Sequence, residues 1–350
     1  MMRRMVFGTV LMLALLAMLM LIGCEKRSPV ALGQEWEIYV VADEEDWNVI
    51  GKTITEVLEK KLVTPQTENE FEVIHVKPQE FANYLKMRNL LIISSLQPGT
   101  ETDRIVRKAL KDEYYDKVVK QEEYFFVSRN QWAKEQFIVV LAAPGKEALR
   151  ASIESYPDYI YHIFNQNRNE QLRFAMFKRT QGRIERHLRK QYGWTIKIPF
   201  YYELVDEDST QRLVHLKSPE PERHLLVHWI DHPRSKKVNE SWLKEKAHWM
   251  GRVFYNARIV DGYYFSSTDR FQNRPALKII GLWESATDAK GGPVEVMTFY
   301  DKEADRIYVI MMGVFAPDHR KEPFLRELRL MANTFKSMES RKSAKLLSLK

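Results

Sequence analysis

Apolar and polar positions along the chain fall into three regimes. Residues 5–23 carry no charge and follow Arg3 and Arg4, the arrangement of a secretory signal rather than of a folded element. From residue 35 to about 165, β-branched apolar runs alternate with segments of helical spacing. Residues 37–43 (EIYVVAD) read as a strand, and Ile50, Ile54, Val57, Leu58 and Leu62 then share one helix face. A strand at 71–76, a short helix at 78–88 opened by Pro78, a strand at 90–96, a charged helix at 102–121 and strands at 124–128 and 137–142 follow. They define an N-terminal α/β domain over 36–165. A long helical region runs from 145 to about 190, interrupted at Tyr156-Pro157, and its part 166–190 forms a bridge. Beyond it the order of elements changes. Strands at 195–205, 211–217 and 224–231, a helix at 240–256 and strands at 276–283, 294–300 and 306–314 lead to a closing helix. That helix has Pro323 at its start and Phe324, Leu328, Met331 and Phe335 on one side. Residues 301–305 (DKEAD) read as a hairpin loop. The fold class is α+β, two sheet-and-helix domains of which the second, 191–338, is mostly antiparallel; 339–350 is a flexible tail.

Composition narrows the class. The 350 residues include 12% aromatics and only 14 Gly and 14 Pro, which excludes disordered and collagen-like chains. A single cysteine, Cys24, rules out an intrachain disulfide and a multi-cysteine metal site. It closes the apolar run as Leu21-Ile22-Gly23-Cys24, which resembles the bacterial lipobox. That resemblance implies cleavage of residues 1–23, diacylation of Cys24 through sulfur, and a polar tether over 24–35. The protein is then expected in the bacterial cell envelope, facing the periplasm from the outer membrane. The alternative is an uncleaved membrane helix, because about 20 apolar residues span a bilayer. Processing removes two arginines and takes the formal charge from +7 to +5. In that compartment the positive balance points away from nucleic acid. The basic run from Arg173 to Lys190 reads as a solvated helix face, with phosphates or lipid headgroups as the other reading.

Histidine offers the main lead for chemistry. His224, His228 and His232 recur at even offsets and share a face on a strand as they would on a helix, a spacing that zinc can use. Yet His232 abuts Pro233, no HExxH is present, and ligation needs converging geometry, so a strand side decorated with histidines is the expectation. No G-x-S-x-G elbow appears. Ala143-Pro144-Gly145-Lys146 lacks the first Gly and the Ser/Thr of a phosphate loop and reads as a turn. Gly291-Gly292-Pro293 is likewise expected to be a turn. The clusters Glu44-Glu45-Asp46 and Asp206-Glu207-Asp208 read as solvated element ends, and Trp194, Trp229, Trp242, Trp249 and Trp283 as core. No catalytic, cofactor-binding or metal residue is assigned, and no cofactor is expected.

The lipobox, EIYVVAD with Trp47 and Gly51 beyond it, Pro65-Gln66 before Phe71, and Lys86-Met-Arg-Asn89 leading into LLIIS resemble a family of bacterial lipoproteins, domain of unknown function 4837. The second half adds 192–199 (YGWTIKIP), 281–284 (GLWE), 291–293 (GGP) and the run APDHRKEPFLRELRLMANTFK. The resemblance extends over nearly all of the mature chain. It implies a lipid-anchored envelope protein without known catalytic residues. The second half also looks like the sheet-and-helix fold of PsbP and Mog1 proteins. Together these point to a non-enzymatic binding or assembly factor, held to the membrane by acyl chains on Cys24 and meeting an envelope protein partner. The alternative is an envelope hydrolase with a dispersed, histidine-containing site.

Overall fold

The structure, a computed structural model, describes residues 28–338 apart from Val63, Pro65 and Lys236. It divides into two compact units, 1–47 with 74–149 and 48–73 with 150–350. Strand β1 (Glu37–Val41) leads into helix α1 (Glu44–Leu58), a small antiparallel pair β2 (Lys61–Leu62) and β3 (Glu68–Asn69), then β4 (Glu72–Val76), α2 (Phe81–Tyr84) and β5 (Asn89–Ser94). Helices α3 (Glu101–Ala109) and α4 (Asp112–Val119) precede β6 (Phe125–Arg129) and β7 (Phe137–Ala142). The first sheet has the order β4-β1-β5-β7-β6, with β1, β5 and β7 parallel and β6 antiparallel to β7. Every residue of β5 and β7 is buried, as expected of parallel strands covered on both faces. The helix expected at 102–121 is two helices, because Leu110 and Lys111 both adopt extended backbone.

Three helices follow: α5 (Lys146–Ser155), α6 (Pro157–Phe177) and α7 (Gly182–Tyr192). Pro157 starts α6, where its missing N–H costs nothing, and Gly193 ends α7 in the left-handed conformation at φ 73°. After β8 (Trp194–Thr195) come β9 (Glu203–Asp208), β10 (Leu213–Ser218), β11 (Glu222–Asp231), α8 (Glu240–Met250), β12 (Ala257–Phe271), β13 (Arg274–Ser285), β14 (Gly291–Asp301), β15 (Arg306–Phe315), α9 (Glu322–Ala332) and β16 (Lys336–Ser337). Strands β9 to β15 form one antiparallel sheet in the order β12-β13-β14-β15-β11-β10-β9. Its two faces carry separate cores, as strand alternation requires. Tyr308, Ile310, Met312 and Val314 of β15 pack with Leu325, Leu328 and Met331 of α9. Val309 and Met311 turn the other way, into a core with Leu243, Ala247 and Met250 of α8.

Several expectations change. Strand β12 went unread: its side chains are mostly polar or exposed, it lies at the sheet edge, and a bulge between Ile259 and Tyr264 breaks its alternation. Gly291-Gly292-Pro293 is the start of β14, not a turn. A Cβ on Gly292 would lie 2.0 Å from the Val314 carbonyl oxygen, so only glycine fits there. The compact units are also not the contiguous spans 36–165 and 191–338 joined by a bridge, because residues 48–73 count with the C-terminal unit.

The reason is charge. Glu68 accepts the backbone N–H groups of Lys321 and Glu322, at 2.8 and 2.9 Å, and so caps α9 from β3. Glu70 pairs with Arg326 at 3.3 Å and Glu72 with Arg320. Within α9, Glu322 is 0% exposed and meets Arg326 at 2.7 Å and Arg168 of α6 at 2.6 Å. Burial by itself would raise the Glu322 carboxyl, but the two guanidiniums hold it below the usual carboxylate range. Arg329 reaches Glu295 of β14, and Arg223 of β11 reaches Glu327 at 2.7 Å. The helix expected to be amphipathic is therefore buried on most of its surface, its charged residues included.

Removing Glu322 would leave Arg168 and Arg326 buried with an uncompensated charge. Glu322→Ala is expected to destabilise the second unit by about 3–5 kcal/mol, read as a lowered urea midpoint. Phe324→Ala, at a half-buried position of the same helix, should cost less.

Candidate functional site

Strand alternation places His224, Leu226 and His228 of β11 on the sheet face beneath α8, and antiparallel register sets Leu213, His215 and Lys217 of β10 beside them. His215 and Leu226 are opposite partners, as are Lys217 and His224, so His215 and His224 meet on the diagonal. His215 Nε2 lies 2.9 Å from His224 Nδ1, and His224 Nε2 lies 3.2 Å from Glu222 Oε2. Glu222 also receives Tyr255 Oη at 2.8 Å and Lys217 Nζ at 3.1 Å. Burial would raise the Glu222 carboxyl, but these donors hold it below its ordinary value. An ionised Glu222 can only accept, so His224 donates from Nε2 and accepts at Nδ1, where His215 donates. One proton assignment satisfies the whole row.

The row is sealed by the Phe254 ring, 4.0 Å from that of His224. Gly313, opposite His224 on β15, makes room: a Cβ there would stand 2.7 Å from the Phe254 ring. A cavity of about 330 Å³ borders the row, lined by His215, Lys217, Tyr255 and Asp206 among others. Burial, reinforced by the positive charge of Lys217, pushes His215 down to about 4; burial and the neighbouring His215 push His224 down to about 3. His228 is likewise lowered by burial to about 4. It hydrogen-bonds the Arg212 carbonyl oxygen through Nδ1 at 3.0 Å and packs on Trp249 at 4.7 Å. All three are neutral at pH 7.

The sequence-derived triplet does not converge. His224 and His228 stand four residues apart on one strand, about 13 Å. His232 lies past the strand end at φ 46° and pairs with Asp305 at 2.8 Å. Among the described residues no group of three or more His, Cys, Asp or Glu side chains is placed to hold a metal ion. His215, the true partner of His224, was missed because a diagonal pair depends on register, which spacing along one strand does not reveal. Cys24 lies outside the described residues. Among those described, no helix is long and apolar enough to cross a membrane.

The first unit carries a second cavity, about 600 Å³, where β5 and β7 end at their carboxyl edge, the edge at which open parallel sheets bind ligands. The 143–146 segment is the strand-to-helix turn that was expected, with Gly145 at φ 93° and its N–H on the Ser95 carbonyl at 2.8 Å. Arg107 and Tyr115 on the rim both bond Asp103, and Lys146 bonds Glu45 at 2.5 Å. Glu44-Glu45-Asp46 is not simply a solvated end. It forms the first turn of α1, and Asp46, 3% exposed, accepts the Ser95 N–H at 2.9 Å. Burial raises its carboxyl above the ordinary value. In the other cluster, Glu207 bonds His187 and Tyr192.

The fold is α+β: one unit holds an antiparallel sheet with helices on both faces, the other a smaller mixed sheet. Residues 181–334 match the family model described as Domain of unknown function (DUF4837), so the second half of the chain is similar to that family. Residues 31–176 match a different one, Domain of unknown function (DUF8532), so the resemblance to the first family does not extend over the N-terminal half. The junction at 176–181 falls inside the expected bridge. A search of curated proteins gave no match. Among solved structures, a mutant of the protein Mog1 is similar at 11% identity and TM-score 0.30, over 43% of this chain and 94% of that one. The Saccharomyces cerevisiae Ran-binding protein Mog1p has 10% identity and TM-score 0.30, over 42% and 91%. LpqN, described as involved in cell envelope biogenesis of Mycobacterium tuberculosis, has 10% identity and TM-score 0.27, over 41% and 83%.

The lowered histidines set a pH dependence. Each binds its proton more readily in the unfolded chain, at an ordinary value of about 6.5. The stability they confer is therefore complete above that value and lost as pH falls toward their folded values near 4. Between pH 7 and pH 5 each should cost about 2 kcal/mol. Urea midpoints should drop over that interval, and His228→Gln should flatten the drop; an unchanged slope would mean that His228 is not held neutral.

Proposed function

We propose that this protein is a lipid-anchored binding or assembly factor of the bacterial cell envelope, facing the periplasm. The observation that carries the reading is the charge-free run 5–23 behind Arg3 and Arg4, ending at the lone Cys24. Acylation at one sulfur with two chains gives firm membrane attachment, since each buried CH₂ contributes about 0.8 kcal/mol and one chain alone binds marginally. Geometry in the folded part supports binding over catalysis. Both nitrogens of His224 are taken by His215 and Glu222, and the larger cavity, at the carboxyl edge of parallel strands, is an open cleft with a polar rim.

The competing reading, a hydrolase, draws on the Glu222–His224–His215 row beside its 330 Å³ cavity, where a carboxylate orients an imidazole as in acid–base sites. Turnover of an envelope substrate by the purified protein, abolished by His215→Gln, would favour it.

The anchor is tested by growing cells with labelled fatty acid. Wild-type protein should take up label and fractionate with membranes, and Cys24→Ala should lose the label entirely. A wild-type chain that stays unlabelled overturns the proposal.

A further inference from the structure

The surface of the second unit is most unusual where α6 turns into α7. Between residues 171 and 200 stand eight Lys and Arg side chains, all exposed, and one acid, Glu185; from outside that stretch Glu207 of β9 reaches α7, where it is taken by His187 and Tyr192. Glu185 is turned inward and accepts the Ile198 N–H at 3.0 Å. Arg183, Arg186 and Lys190 bond to no carboxylate among the described residues, although the chain has 47 acids to offer. Their spacing sets Arg186 three or four residues from Arg183, Arg189 and Lys190, and like charges at those separations destabilise a helix. The helix dipole accounts for Arg189 and Lys190 in the last turn. It works against Arg183 in the first. An arrangement that costs the free protein stability is understood once an anion lies outside it.

Two exposed aromatic rings lie in the same stretch of chain. Phe174, on α6, is 77% exposed, and Phe200 is 52% exposed. Phe200 is held there by the α6–α7 turn: its N–H donates to the Arg179 carbonyl, and Gln181 donates from its backbone to Ile198 and from its side chain to the Phe200 carbonyl. The Arg179 guanidinium lies 4.9 Å from the Phe200 ring and Lys197 lies 5.5 Å from that of Phe177. A single point anion needs no exposed rings. A layer of phosphates over an apolar interior takes both, cations at the headgroups and aromatic side chains at the acyl boundary.

We propose that the α6–α7 face, with Phe174 and Phe200 among its Arg and Lys side chains, docks on the surface of an anionic lipid bilayer. The inference rests on the membrane-anchored reading, which supplies the bilayer and raises its effective concentration so that a weak surface suffices. It adds an orientation: an acyl tether lets a protein rotate, and a second contact of this type fixes which side faces the lipid.

The test uses the full-length chain with Cys24→Ala, so that no acyl chain contributes, and measures cosedimentation with vesicles of phosphatidylcholine alone or with phosphatidylglycerol. Binding to the anionic vesicles should exceed binding to neutral ones by roughly tenfold or more and fall with added salt. Arg183→Glu, Arg186→Glu and Lys190→Glu together should abolish that preference. The N-terminal apolar run with Arg3 and Arg4 is common to both chains, so the face is read from the difference between parent and reversed chain on the same anionic vesicles. All three positions are exposed, and unchanged thermal melting checks the fold; Phe174→Ala, a milder variant, should weaken anionic binding severalfold. A parent chain without preference for anionic vesicles, or a reversed chain that keeps it, overturns the proposal. Fatty-acid labelling of wild-type Cys24 reports separately on the anchor, so either can fail alone.

Discussion

Four arginines, Arg168, Arg223, Arg326 and Arg329, and four glutamates, Glu70, Glu295, Glu322 and Glu327, meet in and around α9. Each ion out of water carries a penalty of several kcal/mol, offset only when its partner is in place with good geometry. The partners come from β14, β11, α6 and the segment after β3. None of these can be displaced without stranding a charge, and the unit is therefore cooperative across pieces that lie far apart in sequence. Residues 48–73 are tied to the C-terminal unit in part by these carboxylates, alongside apolar contacts such as Leu62 in the α9 core and Phe71 against Tyr161.

The same sheet solves a second problem of burial by different means. Both its faces are covered, so β11 and β15 must hide almost every side chain they carry. On the face toward α8 this includes three imidazoles. They are two from β11 and His215 from the neighbouring β10, accommodated as neutral groups, each engaged through a hydrogen bond; Phe254 covers His224, Trp249 covers His228, and His215 stacks on His224. Beneath α8 the imidazoles stay neutral next to a paired Lys217 and Glu222, whereas around α9 the buried groups are themselves ion pairs.

How much of this could be read from the chain depends on the kind of signal. Strand β7 was read at its observed ends, β5 nearly so, because fully buried parallel strands are continuous apolar runs. The break at Pro157 and the hairpin at 301–305 follow from local chemistry: Pro157 fits only a helix start, and Asp301 bonds the N–H groups of Glu303 and Ala304 at 3.0 Å. Strand β12 left no trace, since an edge strand facing water need not alternate cleanly. For α9, periodicity marked the apolar side, but the burial of its charged residues was not legible because their partners come from residues 70 to 295. At the candidate site the shared face of His224 and His228 was legible from even spacing. The His215 diagonal was not, because it is set by register between two strands.

The cap on α9 also bears on the order in which the chain can reach its native state. Glu68 and the helix start it serves are separated by 254 positions, and most of the sequence lies inside the ring they close. Such a ring is entropically slow to close although its length adds little to the final cost. A ribosome must release nearly the entire polypeptide before β3 meets its helix. Until then the acidic segment around Glu68 and Glu70 has neither its helix start nor Arg326 to meet, and its carboxylates favour water over collapse.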